Sequence, residues 1–244
     1  STLASDDMSS FIRRRLQTRF GDGGHGYVMP QDDIPHYIHR DVRTRSGGRW
    51  QNVPLVGSKT SDGRYGLGGW ASIGLRGAWA MVGTAGEGAE VGQNASRFFL
   101  YYRKSPRGAP LRIERGGVVV AEVNTFSEEE VDAHLMLEFP DGPQRIVTRV
   151  EGNPGARLYG MALERKGPAV IYDSFGILGV KARRFERINR THWAKSLQAR
   201  PHALFIIQIG GNDLQAWHRV KTSSYKRQFK QVIELFQRSR PEAA

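Results

Sequence analysis

Two segments combine glycines with polar side chains directly after apolar runs. They are Asp173-Ser174-Phe175-Gly176-Ile177-Leu178-Gly179 and Gly210-Gly211-Asn212-Asp213. Glycine permits a sharp turn and lets the backbone come close to a ligand. Asn212 adds an amide donor beside the second turn. In an open parallel sheet, sites lie beyond the carboxyl ends of the strands, where these segments would stand. An ordinary turn, with Asn212-Asp213 capping the next helix, satisfies the same spacing. Other chemistry is thinner. Ser174 is not on a Gly-x-Ser-x-Gly elbow, because Tyr172 stands two residues before it. The glycines at 66–69 and 83–92 lack the spacing of a phosphate-binding or dinucleotide loop. His36 and His39 sit near Asp32, Asp33 and Asp41, but no supporting ligand cluster accompanies them, which favours a polar loop over a metal site. The reading calls for no cofactor and no metal.

Ile209-Gly210-Gly211-Asn212-Asp213 resembles the third block of the SGNH (GDSL-type) hydrolase superfamily, and Ile177-Leu178-Gly179 resembles its second. Arg13-Arg14-Arg15-Leu16-Gln17, with Arg19-Phe20-Gly21-Asp22-Gly23-Gly24-His25-Gly26, is similar to the stretch after the first block in one bacterial branch. That branch includes peptidoglycan O-acetylesterases with an inserted jelly-roll, carbohydrate-binding-module-like domain. Residues 157–183 resemble the exit from the insert into the second block. The resemblance implies Ser1 as nucleophile, with Thr2-Leu3-Ala4-Ser5-Asp6 following it and Ser5 as the alternative register. It also implies the backbone N–H of Gly179 and the side-chain amide of Asn212 as oxyanion donors. The chain departs from the family in one respect. The family's base belongs to an Asp-x-x-His pair beyond the third block, and no such pair follows Asn212, His218 being wrongly spaced. The resemblance therefore implies a fragment, a processed chain whose companion supplies Asp and His, or a diverged non-enzyme.

These loops need elements to hold them. Residues 5–20 read as a helix, capped by Ser5 or Asp6 and ended by Gly21, with Met8, Phe11, Ile12, Leu16 and Phe20 on one apolar face. Arg13, Arg14 and Arg15 fall mostly on the solvated face. From 31 to 165, short β-type runs alternate with turn residues: 70–75, 79–84, 97–103, 111–114, 118–124, 133–139, 145–150 and 157–163. Such spacing suggests a two-sheet sandwich or jelly roll. Alternation aims His134 outward as a surface histidine. Ala169-Val170-Ile171-Tyr172 reads as a strand, 181–199 as a helix, Ala203–Ile209 as a strand buried on both faces, and 223–238 as a helix. The expected fold class is α/β, a flavodoxin-like parallel sheet with helices, interrupted by an inserted all-β sandwich. The parts would be 1–30 and 166–244 for the α/β domain and 31–165 for the insert.

Composition narrows the function classes. The 244 residues are 39% hydrophobic and 25% charged, with no cysteine, so disulfides, thiolate metal sites and a cysteine nucleophile are excluded. No apolar run is long enough for a transmembrane helix. The first residues do not form a signal peptide, which is expected to have been removed or never present. Net charge is +12, and residues 166–244, with 15 Lys/Arg against 5 Asp/Glu, hold +10 of it. Basic charge suits polyanions, including an anionic cell wall. No nucleic-acid module is recognisable, so nucleic acid is not the expected partner. The expected function is a serine esterase removing acyl groups, acetyl first, from a bacterial glycan such as peptidoglycan in the periplasm or outside the cell. The alternative is a catalytically inactive glycan-binding or scaffolding protein.

Overall fold

A strand whose side chains alternate between two faces can bury one face and present the other. The computed structural model, which describes residues 5–57, 59–214, 218 and 221–243, has eleven strands in two antiparallel sheets, with Val131–Gly142 alternating in this way and Gly24–Val28 and Ala156–Glu164 buried on both faces. The first sheet has the order β3 (Trp50–Pro54), β4 (Trp70–Gly74), β11 (Ala156–Glu164), β6 (Ala95–Lys104), β9 (Val131–Gly142), with β1 (Gly24–Val28) also pairing with β11. The second runs β2 (Val42–Gly47), β5 (Trp79–Thr84), β10 (Arg145–Val150), β7 (Leu111–Arg115), β8 (Val118–Val123). Phe98, Leu100 and Tyr102 of β6 meet Ile113, Ile146 and Val82 between the sheets, all buried. The intervening Phe99 and Tyr101 face the other way. There a second core forms with Tyr27, Tyr159, Trp193 and Leu197.

That second core seats the C-terminal helices. A 3-10 turn (Ala182–Arg187) leads to α2 (Arg190–Ala199), and α4 (Thr222–Ser239) packs on α2. Asn189 divides the helix expected over 181–199 and caps α2, its side chain accepting from His192 N at 3.0 Å. Trp193 meets Phe236 edge-on at 5.4 Å between ring centroids, and Phe205 lies 4.9 Å from Phe236. Gly160 allows the close fit of Tyr27, since a Cβ there would stand 2.0 Å from the Tyr27 ring.

The expected parallel α/β sheet is not what the chain forms. Every sheet pairing is antiparallel, and parallel pairing among the described residues is limited to the isolated bridges Asp22–Val170 and Ser105–Phe126. Ala169–Tyr172 contributes only that bridge, and Ala203–Ile209 is not a strand. Leu204 is 59% exposed and Ile206 75% exposed. An unbroken apolar run matches a strand covered on both faces, but here only one side is partly covered, with Phe205 against Phe236 of α4, while Leu204 and Ile206 face outward. Segment 24–28 is a strand of the sandwich, not of a separate sheet.

The first helix, α1 (Asp7–Phe20), also reverses expectation. Its Met8, Phe11 and Phe20 are exposed, whereas Ser9, Ser10, Arg13 and Gln17 are buried. Arg13 has no exposed side-chain surface. It donates to Asp6, to the Arg40 carbonyl and to Asp41, which also takes two bonds from Arg14 Nε and one from Arg14 Nη2. Asp6 stands at the N-cap but makes no cap bond, because its carboxylate is committed to Arg13 and to Arg40 N. Gly21 closes the helix as expected, its N–H donating to Gln17 O at 2.9 Å.

Candidate functional site

The second glycine-bearing loop is anchored by hydrogen bonds to the residues that directly follow the first. Gly179 has φ +74°, a conformation that favours glycine, and a Cβ there would meet nothing within 4 Å, so its backbone faces open space. In the second loop, Asp213 N and Leu214 N donate to Gly210 O and wind the short helix α3 (Gly211–Leu214). Gly210, with φ +131°, lies against Tyr225, whose hydroxyl would be 2.8 Å from an added Cβ. Asn212 Nδ2 donates to Val180 O at 3.0 Å. The buried Asp213 carboxylate accepts from Ala182 N at 3.2 Å. Asn212 is thus tied to the residue after Gly179. A primary amide carries two N–H donors, and the bond to Val180 engages one of them.

Ser1 lies outside the described residues. The hydroxyl of Ser5, the alternative register, donates to Asp7 at 2.6 Å. His36 is exposed, while His39 lies edge-on to His25 at 5.7 Å and Asp41 is taken by arginines. Among the described residues no group of His, Asp and Glu could hold a metal ion. Beside the loop, a cavity of about 270 Å³ is bounded by Met29, Tyr37, Trp70, Ile177 and Leu178.

Sequence spacing missed two histidine–carboxylate pairs, whose members are remote in the chain. His202 Nε2 stands 2.7 Å from Asp173 Oδ2. Asp173 also accepts from Tyr27 N at 2.8 Å and from both Arg200 Nη2 and Arg200 Nε. Arg200 continues to Glu164 and to the Tyr101 hydroxyl. Burial alone would raise the Asp173 carboxyl, but the Arg200 guanidinium and His202 hold it far below the usual carboxylate range. His192 Nδ1 lies 3.0 Å from Asp132, off the hydrogen-bonding direction, while its Nε2 accepts from Gly66 N at 2.9 Å. That bond occupies the Nε2 lone pair. A general base needs a free imidazole nitrogen facing the nucleophile. His202 Nδ1 is buried, with no partner among the described residues, and so faces no nucleophile there. Both pairs therefore clamp the C-terminal segments to the sandwich. Neither pair has a local sequence signal, because each histidine is remote in the chain from its carboxylate.

The fold is that of antiparallel two-sheet sandwiches with helices laid on one sheet. No family model matches the chain, and no curated protein matches it. Among solved structures, the chain aligns over its whole length with "Peptidoglycan O-acetylesterase in action, 5 min", at TM-score 0.72 and 19% identity. The chain spans 63% of that structure's length. A carbohydrate-binding module from Clostridium stercorarium in complex with cellobiose matches 60% of this chain and 98% of its own, at TM-score 0.35 and 11% identity. One from Cellvibrio mixtus lichenase 5A in complex with cellotriose matches 59% and 99%, at TM-score 0.32 and 11% identity. At such identities the likeness to the O-acetylesterase concerns the fold.

Proposed function

We propose that this protein is a serine esterase of the SGNH type that removes acyl groups, acetyl first, from a bacterial glycan such as peptidoglycan, in the periplasm or outside the cell. The observation that carries the reading is the 3.0 Å bond from Asn212 Nδ2 to Val180 O, which gathers the two glycine-bearing loops. The whole-length fold likeness to a peptidoglycan O-acetylesterase structure supports it. In this mechanism the Ser1 hydroxyl attacks the ester carbonyl as a base takes its proton. Negative charge then grows on the carbonyl oxygen. The Gly179 N–H, the second Asn212 N–H and the nucleophile's own N–H donate to it. Collapse expels the sugar hydroxyl, and water releases acetate from the acyl-serine. The base is the family's Asp/His pair, supplied by a further segment or a companion chain, because Nε2 of His192 accepts from Gly66 N and Nδ1 of His202 is buried, with its Nε2 against Asp173.

The test is acetate release from O-acetylated peptidoglycan and from a small acetyl ester. Loss of one oxyanion donor costs about 2.7–4 kcal/mol of transition-state stabilisation. Asn212→Ala is therefore expected to lower kcat by about 10²–10³-fold with its circular dichroism unchanged. Full activity in that variant would remove Asn212 from the mechanism, and full activity in Ser1→Ala would do the same for the nucleophile.

The placement of His192 and His202, each against a buried carboxylate that ties the C-terminal segments to the sandwich, favours a second reading, a catalytically inactive glycan-binding protein. It predicts binding to O-acetylated peptidoglycan with no acetate released under any reconstitution with the missing pair.

A further inference from the structure

The cavity of about 270 Å³ beside the first glycine-bearing loop is walled by carbon. Met29 is buried in that wall, Trp70 and Ile177 are half-buried, and Leu178 is exposed at its edge, so a ligand can reach it from solvent. No charged side chain lines it. The Tyr37 hydroxyl accepts from Met29 N at 3.3 Å, and Trp70 Nε1 donates to Asn52 at 3.2 Å, so these polar atoms of the wall are engaged within the protein. Gly57 belongs to the same wall, and its carbonyl collects two guanidinium groups. Arg187 Nη1 donates to Gly57 O at 2.6 Å, and Arg184 Nη1 donates to it at 3.3 Å. A 3-10 helix has about three residues per turn, so these two positions of Ala182–Arg187 lie one above the other. Among the described residues neither arginine has an ion pair, and Nε and Nη2 of both make no hydrogen bond. Burial and the charges of Arg187 and Arg183 hold Arg184 below its ordinary pKa. Like charges gathered in this way repel, and an anion between them relieves the repulsion.

An apolar pocket with two uncommitted guanidinium groups at a wall carbonyl matches one kind of ligand. A carbon chain leaves water for the pocket, while a carboxylate or phosphate at its end accepts paired N–H bonds from the arginines. The volume is near the lower end of the range of about 300–1,000 Å³ for ligand pockets, which suits a medium-length chain and not a whole lipid. We infer that the cleft bounded by Gly57, Trp70, Leu178, Arg184 and Arg187 binds an anionic amphiphile, an aliphatic chain ending in a carboxylate or a phosphate. The cleft adjoins the first glycine-bearing loop, but its ligand does not depend on the ester-cleaving reading above.

Titration calorimetry with four probes tests it: octanoate, octyl phosphate, neutral octanamide and acetate. The long-chain anions are expected to bind at one site per chain, and the tighter of the two names the head group. Octanamide, which lacks the charge, should bind about ten-fold weaker, the worth of one charge-assisted hydrogen bond. Acetate, which lacks the tail, should bind at least about 100-fold weaker, since each buried methylene contributes about four-fold. Arg184→Gln and Arg187→Gln should each weaken the long-chain anions about ten-fold and leave octanamide unchanged. Arg184→Gln breaks a single 3.3 Å bond, so it carries the test if Arg187→Gln does not fold. Leu178→Ser should weaken all three long-chain probes. Octanamide as tight as both anions, acetate as tight as octanoate, undiminished anion binding in Arg184→Gln, or no binding of either long-chain anion would overturn the inference. Intact, Arg184-dependent binding in a protein that hydrolyses no ester would sink the esterase reading and leave this site standing.

Discussion

Arg13 shows how much a single side chain can decide. Its guanidinium has no exposed surface and is paired with Asp6 and Asp41. Removing one partner of a buried ion pair leaves an uncompensated charge, typically at a cost of about 3–5 kcal/mol. Arg13→Ala should lower unfolding free energy by about that amount, as measured by urea denaturation. A loss below about 0.5 kcal/mol, the usual effect of a surface substitution, would show that the arginine is solvated after all. Nothing in the run Arg13-Arg14-Arg15 distinguishes the buried member, because its partner Asp41 comes from a loop 28 residues on. Asn212 is the opposite case. The Gly-Gly-Asn-Asp turn is legible as a local pattern, but its tie to Val180 is a contact across 32 residues.

At the scale of elements, strands were easier to read than helices. The eight expected runs coincide with β4 to β11, because alternation repeats every two residues and turn residues bound each run. The strands β1, β2 and β3 escaped notice. β2 is Arg- and Ser-containing, and β1, Gly24-His25-Gly26-Tyr27-Val28, is read locally as a glycine loop. For α1, helical periodicity found the element but inverted its buried face. Hydropathy cannot tell an apolar face turned to the core from one left exposed beside a buried ionic network. The segment Ala203–Ile209 offers a direct check on the corrected fold. Since Ile206 is 75% exposed, Ile206→Lys should change unfolding free energy by less than about 0.5 kcal/mol. A loss of about 2 kcal/mol or more would mean that this segment is packed as a strand interior.

The whole molecule should respond to acid through its buried histidines. Burial holds His25 well below its ordinary pKa, assisted by His39 and Arg13, and burial likewise lowers His39, with Arg13 contributing. Below about pH 6.5 the unfolded chain takes up protons that these native imidazoles refuse. Protons then favour the unfolded state, so stability must fall as pH falls. The slope approaches about 1.4 kcal/mol per pH unit for each histidine until its folded pKa is reached. Carboxylates depressed in the native state, including Asp41, Asp132 and Asp173, act in a lower window. Their stabilisation is present above about pH 4 and is lost as pH drops through their folded values. Denaturation at pH 7 and pH 5 should show the histidine effect alone. His25→Leu should reduce the difference between them, because it removes one of the buried imidazoles, whose ring nitrogens have no partner among the described residues. An unchanged difference would assign the acid sensitivity elsewhere.

What the sequence determined by itself was local: the period of the strands, the positions of the turns, the two glycine-bearing loops, the absence of thiol chemistry and the concentration of positive charge beyond residue 165. Each of these follows from neighbours within a few residues. The tertiary structure decided the rest. It set the antiparallel order of both sheets, turned the polar face of α1 inward, left Leu204 and Ile206 exposed, and laid α2 over the tyrosines of the first sheet. It also chose which carboxylates meet which cations. Those outcomes depend on contacts between residues far apart in the chain, where burial and charge pairing, not local periodicity, set the free energy.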